Sequence, residues 1–193
     1  MRLGFKEIDS IIRRDRIVEF YSTEEDLLYL IYHRTLVLSS PIKVVIVSER
    51  GGIDPGLVER FEHIFLKKSE IYIRRAFKAE DVNPTIEAMG DGELVILDPF
   101  HHKRLYTEIV SSIRKRKGRT FIFSFMDREK EGSIFALHSS HSVIKIAKRG
   151  KGGFSFIVMK SVTVDNVEIP YSVWEIFGKS KGGGLMSFIL RES

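Results

Sequence analysis

Short β-branched runs alternate along this chain with longer segments whose apolar residues recur at helical spacing. Ile17-Val18-Glu19-Phe20-Tyr21 predicts a first strand. Residues 23–38 predict a helix that is apolar around most of its circumference and therefore well buried, with Ser22 or Thr23 placed to cap it. Lys43 to Val47 (KVVIV) predicts a second strand, after which Gly51-Gly52 turns the chain and Asp54-Pro55 opens a helix carrying Leu57, Val58, Phe61, Ile64 and Phe65. Ile71-Tyr72-Ile73 predicts a third strand, and Asn83-Pro84 the start of a short helix with Ile86 and Met89 inward and Gly90 at its end. A fourth strand is expected over Leu94 to Leu97. A helix over 103–116 follows, with Tyr106, Ile109, Val110 and Ile113 on one face, and then a fifth strand from Thr120 to Phe125.

Strands that are continuously apolar rather than alternating, and that are separated by helices, imply an α/β fold with a doubly wound, mostly parallel sheet covered on both faces. After Phe135 the pattern changes. Ser142 to Ala147 and Phe154 to Met159 flank a glycine-rich turn and predict a C-terminal antiparallel hairpin extending one sheet edge, with a further short strand within 162–169. No internal repeat or low-complexity tract interrupts residues 1–193, a length that suits one domain with a sizeable core.

Composition adds limits. The chain is 43% hydrophobic and 30% charged, enough apolar surface to offset chain entropy and exclude intrinsic disorder. It has no cysteine, which excludes disulfides, thiolate zinc sites and cysteine nucleophiles, and suits a cytoplasmic, thermostable protein. Apolar runs such as Leu27 to Tyr32 stop well short of the ~20 residues that span a bilayer, and MRLGFKEID has no apolar signal core, so no membrane partner is expected.

The order of elements and several local strings resemble those of RecA, RadA and KaiC ATPase domains. VVIVSERGG at 44–52 sets Glu49 where that family has a water-activating glutamate. ELVILD at 93–98 resembles its Walker B strand, whose aspartate, matched by Asp98, helps hold magnesium. The stretch IKIAKRGKGGFSFIVMK resembles the closing hairpin of RadA-like domains. The chain departs from the family after the first strand, where G-x-x-x-x-G-K-[ST] belongs and Ser22-Thr23-Glu24-Glu25-Asp26 stands instead. A phosphate cradle needs small residues whose backbone N–H groups converge and a lysine for the β and γ oxygens, whereas three carboxylates repel ATP. Gly178-Lys179-Ser180 looks like the end of such a loop, but Val173 stands where its first glycine belongs and a glycine-rich tail follows. The resemblance therefore implies a RecA-like domain without the phosphate loop, with no cofactor and with Glu49 and Asp98 as remnant catalytic candidates that serve equally as helix caps.

Net charge is +5 and unevenly spread. Residues 7–26 carry seven acids against three arginines, whereas 103–119 carry seven bases against Glu108 alone. Arg114, Lys115, Arg116, Lys117 and Arg119, with Lys148, Arg149 and Lys151 of the second basic stretch, are the candidate nucleic-acid contacts, and Phe154 and Phe156 are candidates for base stacking or for the core. His101 and His102 follow Asp98, and His138 and His141 stand three apart. They read as polar loop and cap residues rather than metal ligands. Ser139, Ser140 and Ser142 lack a nucleophile elbow, so no metal and no hydrolase is expected.

The function expected is that of a non-catalytic binding, scaffolding or regulatory domain with a degenerate nucleotide site, working through a protein partner or self-association, since an acidic face opposite a basic one favours head-to-tail stacking. A nucleic-acid-binding protein using 114–119 and 148–153 is the second expectation. An atypical enzyme at the crevice of Glu49, Asp98 and His101 is the third.

Overall fold

A computed structural model of the chain describes residues 1–47, 52–101, 105–126 and 139–178. It is an α/β structure built on an eight-stranded sheet. The strands are β1 (Ile17–Ser22), β2 (Ile42–Ile46), β3 (Ile71–Arg75), β4 (Leu94–Leu97), β5 (Thr120–Phe125), β6 (Ser142–Arg149), β7 (Gly153–Lys160) and β8 (Val167–Ser172). The helices are α1 (Lys6–Ile11), α2 (Glu25–Ser39), α3 (Pro55–Phe65), α4 (Ala79–Ala88), α5 (Tyr106–Lys115) and the short α6 (Val173–Ile176). Strand order is β3-β2-β4-β5-β1-β6-β7-β8. All pairings from β3 to β6 are parallel, and β7 runs antiparallel to both β6 and β8, so β7 alone is reversed.

Strand period fixes which side chain meets which layer. Val18 and Phe20, Val44 and Ile46, Val95 and Leu97, and Phe121 and Phe123 point to the first face, where α2 and α3 pack through Leu28, Ile31, Leu36 and Phe61. Ile17, Val45, Val47, Leu94, Ile96 and Ile122 point to the second, against Val82 and Ile86 of α4 and Ile109 and Ile113 of α5. Burial on both sides explains why the strands read as unbroken apolar runs. Phe20 stacks on Phe123 at 5.1 Å between ring centroids and meets Phe121 edge-on at 5.4 Å. Such pairs add about 0.5–1.5 kcal/mol each beyond their buried area.

The hairpin of β6 and β7 continues the first face. Ile144, Ile146, Phe154, Phe156 and Val158 are buried there, and Phe5, just before α1, packs on Phe154, Phe156 and Tyr171. Phe154 and Phe156 are therefore core residues, fully buried, and not stacking platforms.

Three expectations change in detail. The fourth helix begins at Ala79, ahead of Asn83-Pro84, with the Asp81 carboxylate accepting the Lys78 N–H and with Ala79 and Val82 buried. Pro84 sits inside it on the exposed side, so the carbonyl its missing N–H leaves free faces water. The fifth helix begins at Tyr106, with 102–104 outside the described residues. The last strand is Val167–Ser172 rather than a piece of 162–169, and it accommodates Pro170 because it is a sheet edge. Among the described residues no helix is long and apolar enough to cross a membrane.

Candidate functional site at the carboxyl edge of the sheet

In a doubly wound sheet the ligand crevice lies beyond the carboxyl ends of neighbouring strands whose following helices go to opposite faces. Here β2 leads to α3 on the first face while its neighbour β4 leads to α5 on the second. Glu49, expected just after β2, lies outside the described residues, as does His102. Asp98 directly follows β4 and is buried at 5% exposure in the left-handed region (φ 52°), a conformation aspartate tolerates better than most residues. Its N–H donates to the Phe123 carbonyl at 2.7 Å, and its Oδ2 lies 3.7 Å from Nδ1 of His101.

Beside Asp98 is a residue the sequence reading passed over as one acid among seven. Glu19 is the third residue of β1, on the second face with Ile17, and it is fully buried. Ser124 Oγ donates to its Oε1 at 2.8 Å, while Oε2 has no partner among the described residues. Burial pushes its carboxyl up to about 8, against the opposing pull of the Ser124 bond, and neighbouring Asp98 pushes in the same direction as burial. At neutral pH Glu19 is thus mostly a neutral acid, a donor rather than an anion. Tyr106 of α5 packs on Phe100, 5.1 Å between ring centroids, and its hydroxyl is pushed upward first by burial and then by Glu19. Glu19, Ser124, Asp98, His101 and Tyr106 form one protic cluster under the crevice. The readable signal was a carboxylate in the middle of a strand covered on both faces.

The decisive geometry is the junction of β1 and α2. Strand ends at Ser22 and helix begins at Glu25, so only Thr23 and Glu24 connect them. Ser22 Oγ donates to the Ile146 carbonyl at 2.7 Å and accepts the Glu24 N–H at 2.9 Å. Glu24 Oε2 reaches Lys148 Nζ at 2.6 Å, and Glu25 and Asp26 occupy the first turn, where carboxylates complement the positive end of the helix dipole. The helix terminus that would face an anion is filled by the chain's own carboxylates.

The opposite wall is fixed from α2. Tyr32 Oη donates to the Gly52 carbonyl at 2.6 Å. His33 Nε2 accepts the Asp54 N–H at 2.9 Å, and its Nδ1 bonds the Tyr29 carbonyl at 2.8 Å. This arrangement requires the neutral ring, and burial lowers its pKa to about 4. Asp54 Oδ1 in turn caps α3 through Gly56 and Leu57 N–H.

The basic candidates separate into three kinds. Arg116 is buried, and its guanidinium donates to the carbonyls of Gly90 and Gly92. Arg119 donates to those of Met1, Ile12 and Asp15. Both are turned inward as clamps between loops. Lys148 is paired with Glu24, and Arg149 lies 3.9 Å from Glu168. Arg114, Lys115, Lys117 and Lys151 remain exposed. His138 lies outside the described residues, as do Lys179 and Ser180. His141 Nδ1 accepts the Ile17 N–H at 3.3 Å, and Ser142 Oγ donates to Asp15. Among the described residues no group of three or more His, Asp or Glu is placed to hold a metal ion. No protein-family model matches the chain, and no curated protein matches it either.

Proposed function

We propose that this chain is a RecA-like domain that works without nucleotide chemistry, as a binding or scaffolding protein acting through protein partners, copies of itself included. The observation that carries the reading is the two-residue connection from β1 to α2 with Glu24, Glu25 and Asp26 at the helix start. An eight-position phosphate loop needs length and small residues at this point, and the chain has neither. The strand order supports the kinship, because β5 lies between β1 and the Asp98-bearing β4, leaving both carboxyl ends on one crevice.

Support for protein contacts comes from the sheet edge. In β3 the side chains from Tyr72 to Arg75 are exposed, with Tyr72 at 57% and Ile73 at 47%, and Phe77 just beyond is 73% exposed. An edge strand with apolar side chains and an open backbone ladder is a template for pairing with another chain. Sedimentation velocity with and without Mg·ATP tests the reading. Self-association that is indifferent to ATP and reduced by Ile73→Lys is expected. ATP turnover by the purified protein, abolished by Asp98→Asn or Glu49→Gln, contradicts it.

A further inference from the structure

A second concavity lies at the opposite, amino-terminal edge of the sheet. It has a volume of about 280 Å³ and is lined by Arg16, Arg114, Ser139, Ser140, His141 and Lys160, with Ile17 and Val162 as its apolar wall. It is smaller than the roughly 300–1,000 Å³ of pockets for drug-sized ligands, and among the described residues its lining includes three cationic side chains and no carboxylate.

The elements hold these groups in place. Arg16 enters β1 and Arg114 closes the last turn of α5. Arg16 Nη2 donates to the Arg114 main-chain carbonyl at 3.4 Å, and both residues line the concavity. Among the described residues neither guanidinium has a carboxylate partner. The nearest acid in sequence, Asp15, accepts from Ser142 Oγ and is not part of the lining. Lys160 Nζ donates to the Ser140 carbonyl at 2.6 Å, holding the floor in place. Ser140 is 3% exposed, and its hydroxyl has no hydrogen-bond partner among the described residues. A buried hydroxyl without a partner is uncommon in native proteins and points to a missing acceptor. His141 accepts the Ile17 N–H through Nδ1, so in its neutral form the proton is on Nε2 and available as a further donor.

This donor set exceeds what the two oxygens of a carboxylate accept and matches a group with three terminal oxygens. We propose that the pocket binds the phosphoryl group of a small molecule, a phosphomonoester or diphosphate, with Arg16 and Arg114 as its charged clamp and the Ser140 hydroxyl as its buried donor. The site is at the other end of the strands from Glu19 and Asp98, so it stands or falls independently of the reading of the carboxyl edge.

Calorimetric titration with inorganic phosphate and pyrophosphate, at constant ionic strength set with chloride, tests it. Saturable binding is expected, tighter for pyrophosphate, and weakened at least about tenfold in Arg16→Gln/Arg114→Gln, whose exposed positions leave folding intact. Ser140→Ala supplies a readout that a structural role does not explain. It melts no lower than the wild type without phosphate, since it removes an unpaired buried hydroxyl, yet binds pyrophosphate several-fold more weakly. The proposal is overturned if the wild type shows no saturable binding up to about 10 mM. It is also overturned if the double arginine variant binds undiminished, or if a single-stranded oligonucleotide binds there and pyrophosphate does not compete.

Discussion

Glu19→Gln should stabilise this protein, and increasingly so as pH rises. The wild-type carboxyl is buried with one oxygen unpartnered, and its pKa is pushed from 4.5 to about 8. Between those values the folded chain holds a proton that the unfolded chain has released, so the stability from this group is complete below pH 4.5 and is lost as pH climbs through 8. Linkage over this interval gives a loss of about 1 kcal/mol by pH 5, about 3 by pH 7 and about 4 by pH 8. Glutamine keeps the shape and the acceptor for Ser124 but cannot ionise. The difference in unfolding free energy between variant and wild type, measured by urea titration at each pH from 4.5 to 8.5, isolates the group together with its coupling to Asp98, because titrations elsewhere in the chain cancel. It should rise by about 4 kcal/mol across the range. A flat difference means that Glu19 ionises normally and refutes the argument from burial.

His33 contributes with the opposite sign over an overlapping window. Its pKa falls from 6.5 to about 4, so stability is lost as pH drops through that interval, by up to about 3 kcal/mol, and an NMR titration of its ring should show a midpoint near 4. The His33 and Glu19 effects oppose each other between pH 4.5 and 6.5, so the acid limb becomes visible in the Glu19→Gln background. Arg34, buried on α2, donates to the carbonyls of Leu3, Gly4, Glu175 and Ile176 and lies over the rings of Phe5 and Phe65. Arg34→Ala strands four acceptors and should cost about 4 kcal/mol by urea unfolding. Gly118→Ala should cost about 3 kcal/mol in the same assay, because a Cβ there would stand 2.0 Å from the Asp91 carbonyl oxygen and backbone must move.

The sheet was legible because its strands are short β-branched runs, KVVIV and LVIL among them, whose double burial left no polar interruption to confuse the period. The reversal at β7 was legible from the glycines at 150, 152 and 153. Gly150 and Gly152 take positive φ, which a tight turn needs and other residues resist. The start of α4 was misread because Asn83-Pro84 has the look of a helix opening, whereas burial of Ala79 and Val82 outweighed one missing hydrogen bond on a wet face. The short helices α1 and α6 were not anticipated, since four to six residues carry little periodicity and depend on packing. The candidate site was harder. Charge counting placed Arg116 and Arg119 among surface contacts because a sequence does not reveal which way a guanidinium turns, and five carbonyls from three other segments claim them. Glu19 was overlooked for the converse reason: it was counted with exposed acids, although a position flanked by Val18 and Phe20 in a doubly covered strand has no route to water.

The most direct test of the central claim is calorimetric binding of Mg·ATP to the Arg16→Gln/Arg114→Gln variant, which lacks the proposed phosphate clamp at the opposite edge of the sheet. The β1–α2 junction predicts no saturable binding up to about 1 mM. Micromolar binding that Asp98→Asn removes would contradict it, and would mean that this crevice holds phosphates in spite of Glu24, Glu25 and Asp26.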